Sequence, residues 1–138
     1  MITYRKYLEF KFEEKITVKN ITNHVEMILQ ESNIKNGIII ISPQHTTTAV
    51  FINDDEEGLL QDILELLEKI VSTEDESSYK HNRYEEDATA HLKRILLGRS
   101  EIVSVTDGKL DLGKWEDVFY VDFWGMRNKK LCIKIIGE

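Results

Sequence analysis

Gly37-Ile38-Ile39-Ile40-Ile41-Ser42 is the stretch that most narrows what this chain can fold into. It sets four isoleucines side by side, and the chain's single proline, Pro43, follows directly. A β-branched run without alternation is the pattern of a strand covered on both faces. Proline closes it, having no N–H to give to a ladder. Such a strand demands material packed above and below it, so the run predicts a layered domain. It is also far too short to cross a bilayer.

The flanking segments carry clearer periods. Residues 4–14 alternate, with Leu8, Phe10 and Phe12 on one side and Tyr7, Glu9 and Lys11 on the other, which predicts a strand with one buried face. Residues 20–32 repeat Ile21, Val25, Ile28 and Leu29 at helical spacing, with Asn20 as the expected N-cap. Residues 47–53 read as a strand, followed by a second helix capped by Asn53, Asp54 or Asp55. Its acidic first turn suits the helix dipole. Leu59, Leu60, Ile63, Leu66, Leu67, Ile70 and Val71 give it a broad apolar face. Residues 72–78 read as a solvated loop, and a third helix is expected over 87–97, ending at Gly98, with Ala88, Leu92, Ile95 and Leu96 inward. Strands are expected at 101–106, 118–123 and 130–136. The order predicts one α+β domain over residues 1–138, a compact sandwich of mainly antiparallel or mixed sheet with about three helices.

Composition narrows the function classes. With 18 Lys+Arg against 25 Asp+Glu, the net charge of −7 argues against a nucleic-acid surface held by bulk charge. One cysteine, Cys132, excludes an internal disulfide and any cysteine-based zinc finger, and suits a reducing compartment. Within Leu131-Cys132-Ile133 it is expected to be a core thiol rather than a nucleophile. The charged start, residues 1–6, lacks the apolar stretch of a signal peptide, so a cytoplasmic protein without membrane contact is expected.

Four histidines remain to be placed. His24 sits among polar neighbours on the first helix and reads as a surface or half-buried residue. His45 follows Ser42-Pro43-Gln44 and precedes Thr46-Thr47-Thr48, a polar cluster at the end of a strand, where sheets commonly build sites. His81 lies just ahead of the third helix. His91 falls on that helix three residues after Ala88 and four before Ile95, and so is expected inward, opposite to Lys93. Three imidazoles with an open fourth position make a catalytic zinc site, and neutral imidazole also suits nickel or copper. Spacing leaves open whether His45, His81 and His91 converge or are unrelated. Asp87 reads either as a helix cap or as a carboxylate orienting an imidazole, and Glu86 shares the second role. Thr46, Thr47 and Thr48 offer hydroxyls to a phosphate or merely build a strand. Trp115 stacks on a flat ligand or fills the core. No phosphate-binding P-loop, dinucleotide fingerprint or nucleophile elbow occurs.

The segments 45–49 with Asn53, 79–82, 87–93, 96–100 and 108–115, taken in order and spacing, resemble the successive motifs of the YjbQ-like family. The resemblance implies a compact α+β fold, a homotrimer, and shared histidines gathered in a pocket near a subunit boundary. It implies His45, His81 and His91 as metal or catalytic histidines. The family is named for a secondary thiamine-phosphate synthase activity, which joins a pyrimidine pyrophosphate to a thiazole phosphate and releases pyrophosphate. The chain departs from the family's pattern at Lys114 and Glu116 around Trp115, at Asp54 and Asp55 after Asn53, at Asp122 and at Trp124.

The expected function is therefore a metal-dependent enzyme acting on a small phosphorylated molecule. A divalent ion, zinc foremost with nickel or magnesium as alternatives, would be held by His45, His81 and His91. It would polarise a phosphoryl oxygen or activate a bound water, with Asp87 orienting a histidine or moving a proton. Thr46, Thr47, Arg127 and Lys93 would meet phosphate oxygens, Asn53 would line the substrate pocket, and Trp115 would stack on a ring. A metal-dependent hydrolase and a non-catalytic trimeric metal- or ligand-binding protein use the same parts.

Overall fold

The computed structural model describes residues 1–138. Eight strands and three α-helices follow one another: β1 (Ile2–Phe10), β2 (Thr17–Asn20), α1 (Thr22–Ser32), β3 (Gly37–Pro43), β4 (Thr48–Asn53), α2 (Glu57–Ile70), α3 (Ala88–Leu97), β5 (Glu101–Thr106), β6 (Lys109–Leu110), β7 (Asp117–Asp122) and β8 (Lys129–Gly137). Two single 3-10 turns, Glu76–Ser78 and Lys80–Arg83, lead into α3. The expected α+β class is what the chain adopts.

The strands form two antiparallel sheets, one ordered β1-β8-β3-β5-β6 and the other β2-β7-β4. The first core lies between them: Ile39 and Ile41 of β3, Leu131, Ile133 and Ile135 of β8, and Val118 and Tyr120 of β7, closed by Val25, Ile28 and Leu29 of α1 and by Ile21 just ahead of it. The far face of the small sheet, with Ala49, Phe51, Phe119 and Val121, is covered by Leu67 of α2 and Ala90 of α3. Three layers result, sheet on sheet on helices.

That layering corrects the expectation for the isoleucine run. The strands buried on both faces are β4 and β7. Of the four isoleucines in β3 only Ile39 and Ile41 are fully buried. Ile38 stands opposite Ile136, Ile40 stands opposite Ile102, and both pairs lie on an outer face that no element of this chain covers. Cys132 lies on that outer face, half-buried, and not in the core.

The expected helix faces change as well. In α3 the buried residues are Ala88, Thr89, Ala90 and Lys93, whereas Leu92, Ile95 and Leu96 are exposed. Lys93 goes inward because its ammonium reaches Glu68 of α2 at 2.8 Å. Helix caps also differ from those expected. Glu56 caps α2 by accepting from the Gly58 and Leu59 amides. Asn20 serves α1 from one residue outside the cap, accepting from the Thr22 amide at 3.0 Å. The Asp107-Gly108 turn has φ of 51° and 78°, the left-handed pair that a tight hairpin between β5 and β6 requires. No helix is long and apolar enough to cross a membrane.

Candidate functional site

One half of the site is built where the Lys80–Arg83 turn meets the start of α3. His91 lies one helical turn beyond Asp87, so the helix itself brings the two together. His81 Nε2 is 2.8 Å from Asp87 Oδ1, and His91 Nε2 is 3.2 Å from Asp87 Oδ2. The two imidazoles meet edge to face, with centroids 4.8 Å apart. Asp87 has both oxygens free for this because the cap expected of it is supplied by Asn82, whose Oδ1 accepts from the Ala88 amide at 3.0 Å. Burial pushes the Asp87 carboxyl up, but the His81 hydrogen bond and the charge of His91 outweigh it and hold the group below the usual carboxylate range. The ligand atoms of His81, Asp87 and His91 lie within 4.8 Å of one another. A cleft of about 350 Å³ opens beside them, walled by Tyr79, Lys80 and Leu92.

The other half is the turn that joins β3 to β4. The His45 carbonyl accepts from both the Thr48 amide and the Thr48 hydroxyl, which closes the turn. Inside it, His45 Nδ1 lies 3.0 Å from Thr47 Oγ1 and 3.4 Å from the Thr47 amide. Thr47 Oγ1 is also 3.1 Å from Lys129 Nζ. An ammonium only donates, so the Thr47 oxygen accepts from Lys129 and its own proton is free to face His45. Both donors of Thr47 then point at Nδ1, which assigns the proton of neutral His45 to Nε2. Burial, with the charges of Lys129, Arg127 and His91, keeps His45 below the ordinary histidine value against the opposing pull of Asp122.

Behind Thr47 stands a fully buried ion pair. Lys129 Nζ and Asp122 Oδ1 are 2.7 Å apart, and both side chains are 0% exposed. Lys129 also donates to the Trp124 carbonyl, and Asp122 Oδ1 accepts from the Trp124 amide at 2.9 Å. Asp122 Oδ2 and Tyr120 Oη are buried without partners. Lys129 was not anticipated from sequence. The signal was there: it shares the inward register of Leu131, Ile133 and Ile135 on β8.

The three histidines expected to share a metal do not form one group within the chain. The compact set is His81, Asp87 and His91, with His45 outside it, although close enough for His91 to bias its charge. Thr46 is exposed at the turn and Thr47 is buried. Arg127 is exposed in the β7–β8 connection, and its charge also acts on His45. Gly125 pins that connection: its amide donates to Lys15 O, and a Cβ there would come within 1.9 Å of Glu14 O. Lys93 is buried and tied to Glu68, and lines a separate cleft with Lys15, Thr73 and Glu76. Asn53 and Trp115 are elsewhere. Asn53 ends β4 five residues beyond Thr48, roughly 16 Å along the strand. Its partner in register is Asp117, two residues after Trp115. Trp115 is 66% exposed, with the Lys114 ammonium over its ring. His24 is half-buried and meets Phe10 edge-on. The largest cleft, about 690 Å³ between α1 and the 108–110 hairpin, holds no histidine or cysteine.

Similar proteins carry the same architecture. The curated relatives include a UPF0047 protein of Methanothermobacter thermautotrophicus, 36% identical over 138 residues, covering 100% of this chain and 95% of that protein. Another, from Archaeoglobus fulgidus, is 39% identical over 129 residues, covering 94% of this chain and 98% of its own length. Among solved structures, a YbjQ-like protein of Sulfolobus solfataricus, described as of unknown function, superposes with a TM-score of 0.94 at 33% identity and 99% coverage of both chains. A hypothetical protein from Aeropyrum pernix gives a TM-score of 0.90 at 30% identity, covering 98% of this chain and 99% of the other. The sequence model of the family described as UPF0047 protein YjbQ-like matches residues 6–138, and the chain belongs to that family.

Proposed function

We propose that the protein is a metal-dependent enzyme acting on a small phosphorylated molecule, with a thiamine-phosphate synthase-like transfer as the reaction to test first. The observation that carries this is the convergence of His81, Asp87 and His91 within 4.8 Å. Two imidazoles and one carboxylate fit zinc or nickel better than magnesium, which prefers oxygen ligands. A bound ion would supply positive charge to a phosphoryl oxygen. The remaining work falls to the chain's own groups. Asp87 orients two imidazoles at once. His45, neutral with its proton on Nε2, donates a hydrogen bond to a substrate oxygen. Arg127 adds positive charge beside it, and Thr46 a hydroxyl.

The thiamine reaction and the homotrimer come from the family resemblance, whereas the cytoplasmic location proposed with them comes from the lone cysteine and the charged first residues. Two apolar surfaces support self-association: the outer sheet face with Ile38, Ile40 and Ile102, and Leu92, Ile95 and Leu96 on α3, of which Ile95 is 69% exposed. Asn53 and Trp115, at the far end of the small sheet, would serve the pocket only from a neighbouring subunit. The test is metal analysis of the purified protein, followed by a thiamine-phosphate assay with and without chelator, on the wild type and His91→Ala. Loss of metal and turnover together in a folded His91→Ala supports the proposal. A stoichiometric ion without turnover on this or any phosphate ester makes the protein a binding module instead. Full activity in His91→Ala overturns the metal mechanism.

A further inference from the structure

Beside His45 lies an open cleft of about 480 Å³, lined by Pro43, Gln44, His45, Thr46, Arg94 and Arg99. No apolar side chain other than the proline ring borders it, and no carboxylate does. Arg94 is fixed from α3 by a hydrogen bond from its Nε to the Thr48 carbonyl at 3.1 Å, which leaves the terminal amino groups of its fork free. Arg99, just past the end of α3, touches only Ser100 Oγ, at 3.2 Å. Neither guanidinium takes part in any ion pair, although the chain has 25 acidic residues. Both guanidinium groups line the one cleft, and burial together with the charge of Arg99 holds the Arg94 guanidinium below its usual value.

Like charges held together without a counter-ion raise the free energy of the unliganded state, and an anion placed between them relieves it. Planar guanidinium forks match the oxygens of a phosphoryl group two at a time. His45 adds an Nε2–H donor, and Thr46 adds a hydroxyl. Every charged group on the cleft wall is cationic.

We infer that the cleft between the 43–46 turn and the guanidinium groups of Arg94 and Arg99 is a phosphoryl-binding subsite that accepts phosphate or pyrophosphate. This rests on the proposed action on a phosphorylated substrate and says where the phosphoryl group docks: on Arg94 and Arg99, beside His45. The bound anion is a separate matter from the ion held by His81, Asp87 and His91, and needs no metal.

The test is titration of the full chain with inorganic phosphate and with pyrophosphate in metal-free buffer. It is followed by calorimetry and by amide chemical shifts. Wild type should bind pyrophosphate with shifts at residues 44–46. Arg99→Gln, an exposed change that leaves the fold intact, should weaken binding about tenfold or more. Arg94→Gln should do the same, with a thermal melt to confirm folding. Lys69→Gln, the same loss of charge on the exposed face of α2, should leave affinity within about twofold. Equal affinity in wild type and Arg99→Gln overturns the subsite. So does an equal loss in Lys69→Gln, which would mean bulk charge alone, or the absence of shifts at residues 44–46. Pyrophosphate bound at the cleft of a protein without metal or turnover keeps the subsite and removes the proposed enzyme. Metal-dependent turnover unaffected by Arg99→Gln does the reverse.

Discussion

Two carboxylates serve the two halves of the site, and they are held in opposite ways. Asp122 is 0% exposed, at the end of β7, with one ammonium at 2.7 Å and an amide on the same oxygen. Asp87 is 19% exposed, at the mouth of α3, and shares its two oxygens between two imidazoles. The first cannot exchange partners without opening the core. The second can, because an imidazole releases a carboxylate on ring rotation or metal binding. One half therefore organises, by fixing Thr47 and through it the His45 ring, and the other half is where ligands can come and go. The largest effect should follow from breaking the organiser. Lys129→Met leaves Asp122 charged and unpaired between the sheets, and should lower unfolding free energy by about 3–5 kcal/mol in chemical denaturation. Lys129→Met with Asp122→Leu should recover most of that loss. A cost below about 1 kcal/mol in the single variant would show that the buried pair does not hold that end of the sandwich.

The more exposed half should show the reverse balance, a small stability effect and a large ligand effect. Asp87→Asn keeps the shape of the side chain but removes the charge that both imidazoles face. Zinc affinity, measured by competition with a chromogenic chelator, should fall about 10- to 100-fold, while the melting curve moves little. An unchanged affinity would mean that Asp87 is only a structural partner for the histidines, and the contrast with Asp122 would collapse. Asn82→Ala removes the acceptor that caps α3 and frees Asp87 for its histidines. It should cost about 1 kcal/mol by denaturation, and zinc affinity should fall with it as Asp87 is drawn back to the helix end. Loss of stability without loss of zinc affinity would separate the cap from the site.

How much of this was legible in the sequence depends on which force decided each position. The class of fold and the positions of the helices were readable, because Ile21, Val25, Ile28 and Leu29 and the residues of α2 follow one period strongly. The polar positions were not, because partners distant in sequence decided them. Lys93 points inward only because Glu68, 25 residues away, accepts its charge. Lys129 lies in an apolar register because Asp122 and Thr47 are there to receive it. The isoleucine run misled in an instructive way: its composition asks for cover on both faces, and the single chain supplies only one. His81 and His91 could be singled out as scarce histidines beside a helix start. The exchange of roles between Asn82 and Asp87 could not, since both are good caps and only the 3-10 turn decides which reaches the Ala88 amide.

The smallest expected effect tests both halves through pH. His45 titrates below the ordinary histidine value of 6.5 in the folded protein, so below pH 6.5 the unfolded chain binds protons more readily than the fold. Stability on its account is intact above that pH and falls as the solution is acidified through it. Asp87 titrates below its ordinary value of 3.8, so its contribution is present above pH 3.8 and is lost as pH falls further. The two act with the same sign in separate windows, the His45 half first and the Asp87 half second. Denaturation of the wild type, His45→Gln and Asp87→Asn from neutral to acid pH should therefore show differences of under about 1 kcal/mol each. The His45→Gln curve should part from wild type below pH 6.5, whereas the Asp87→Asn difference, present at neutral pH, should close only below pH 3.8. If both differences change in one shared window, the halves titrate as a unit, and the division between a fixed organiser and an exchangeable ligand site fails.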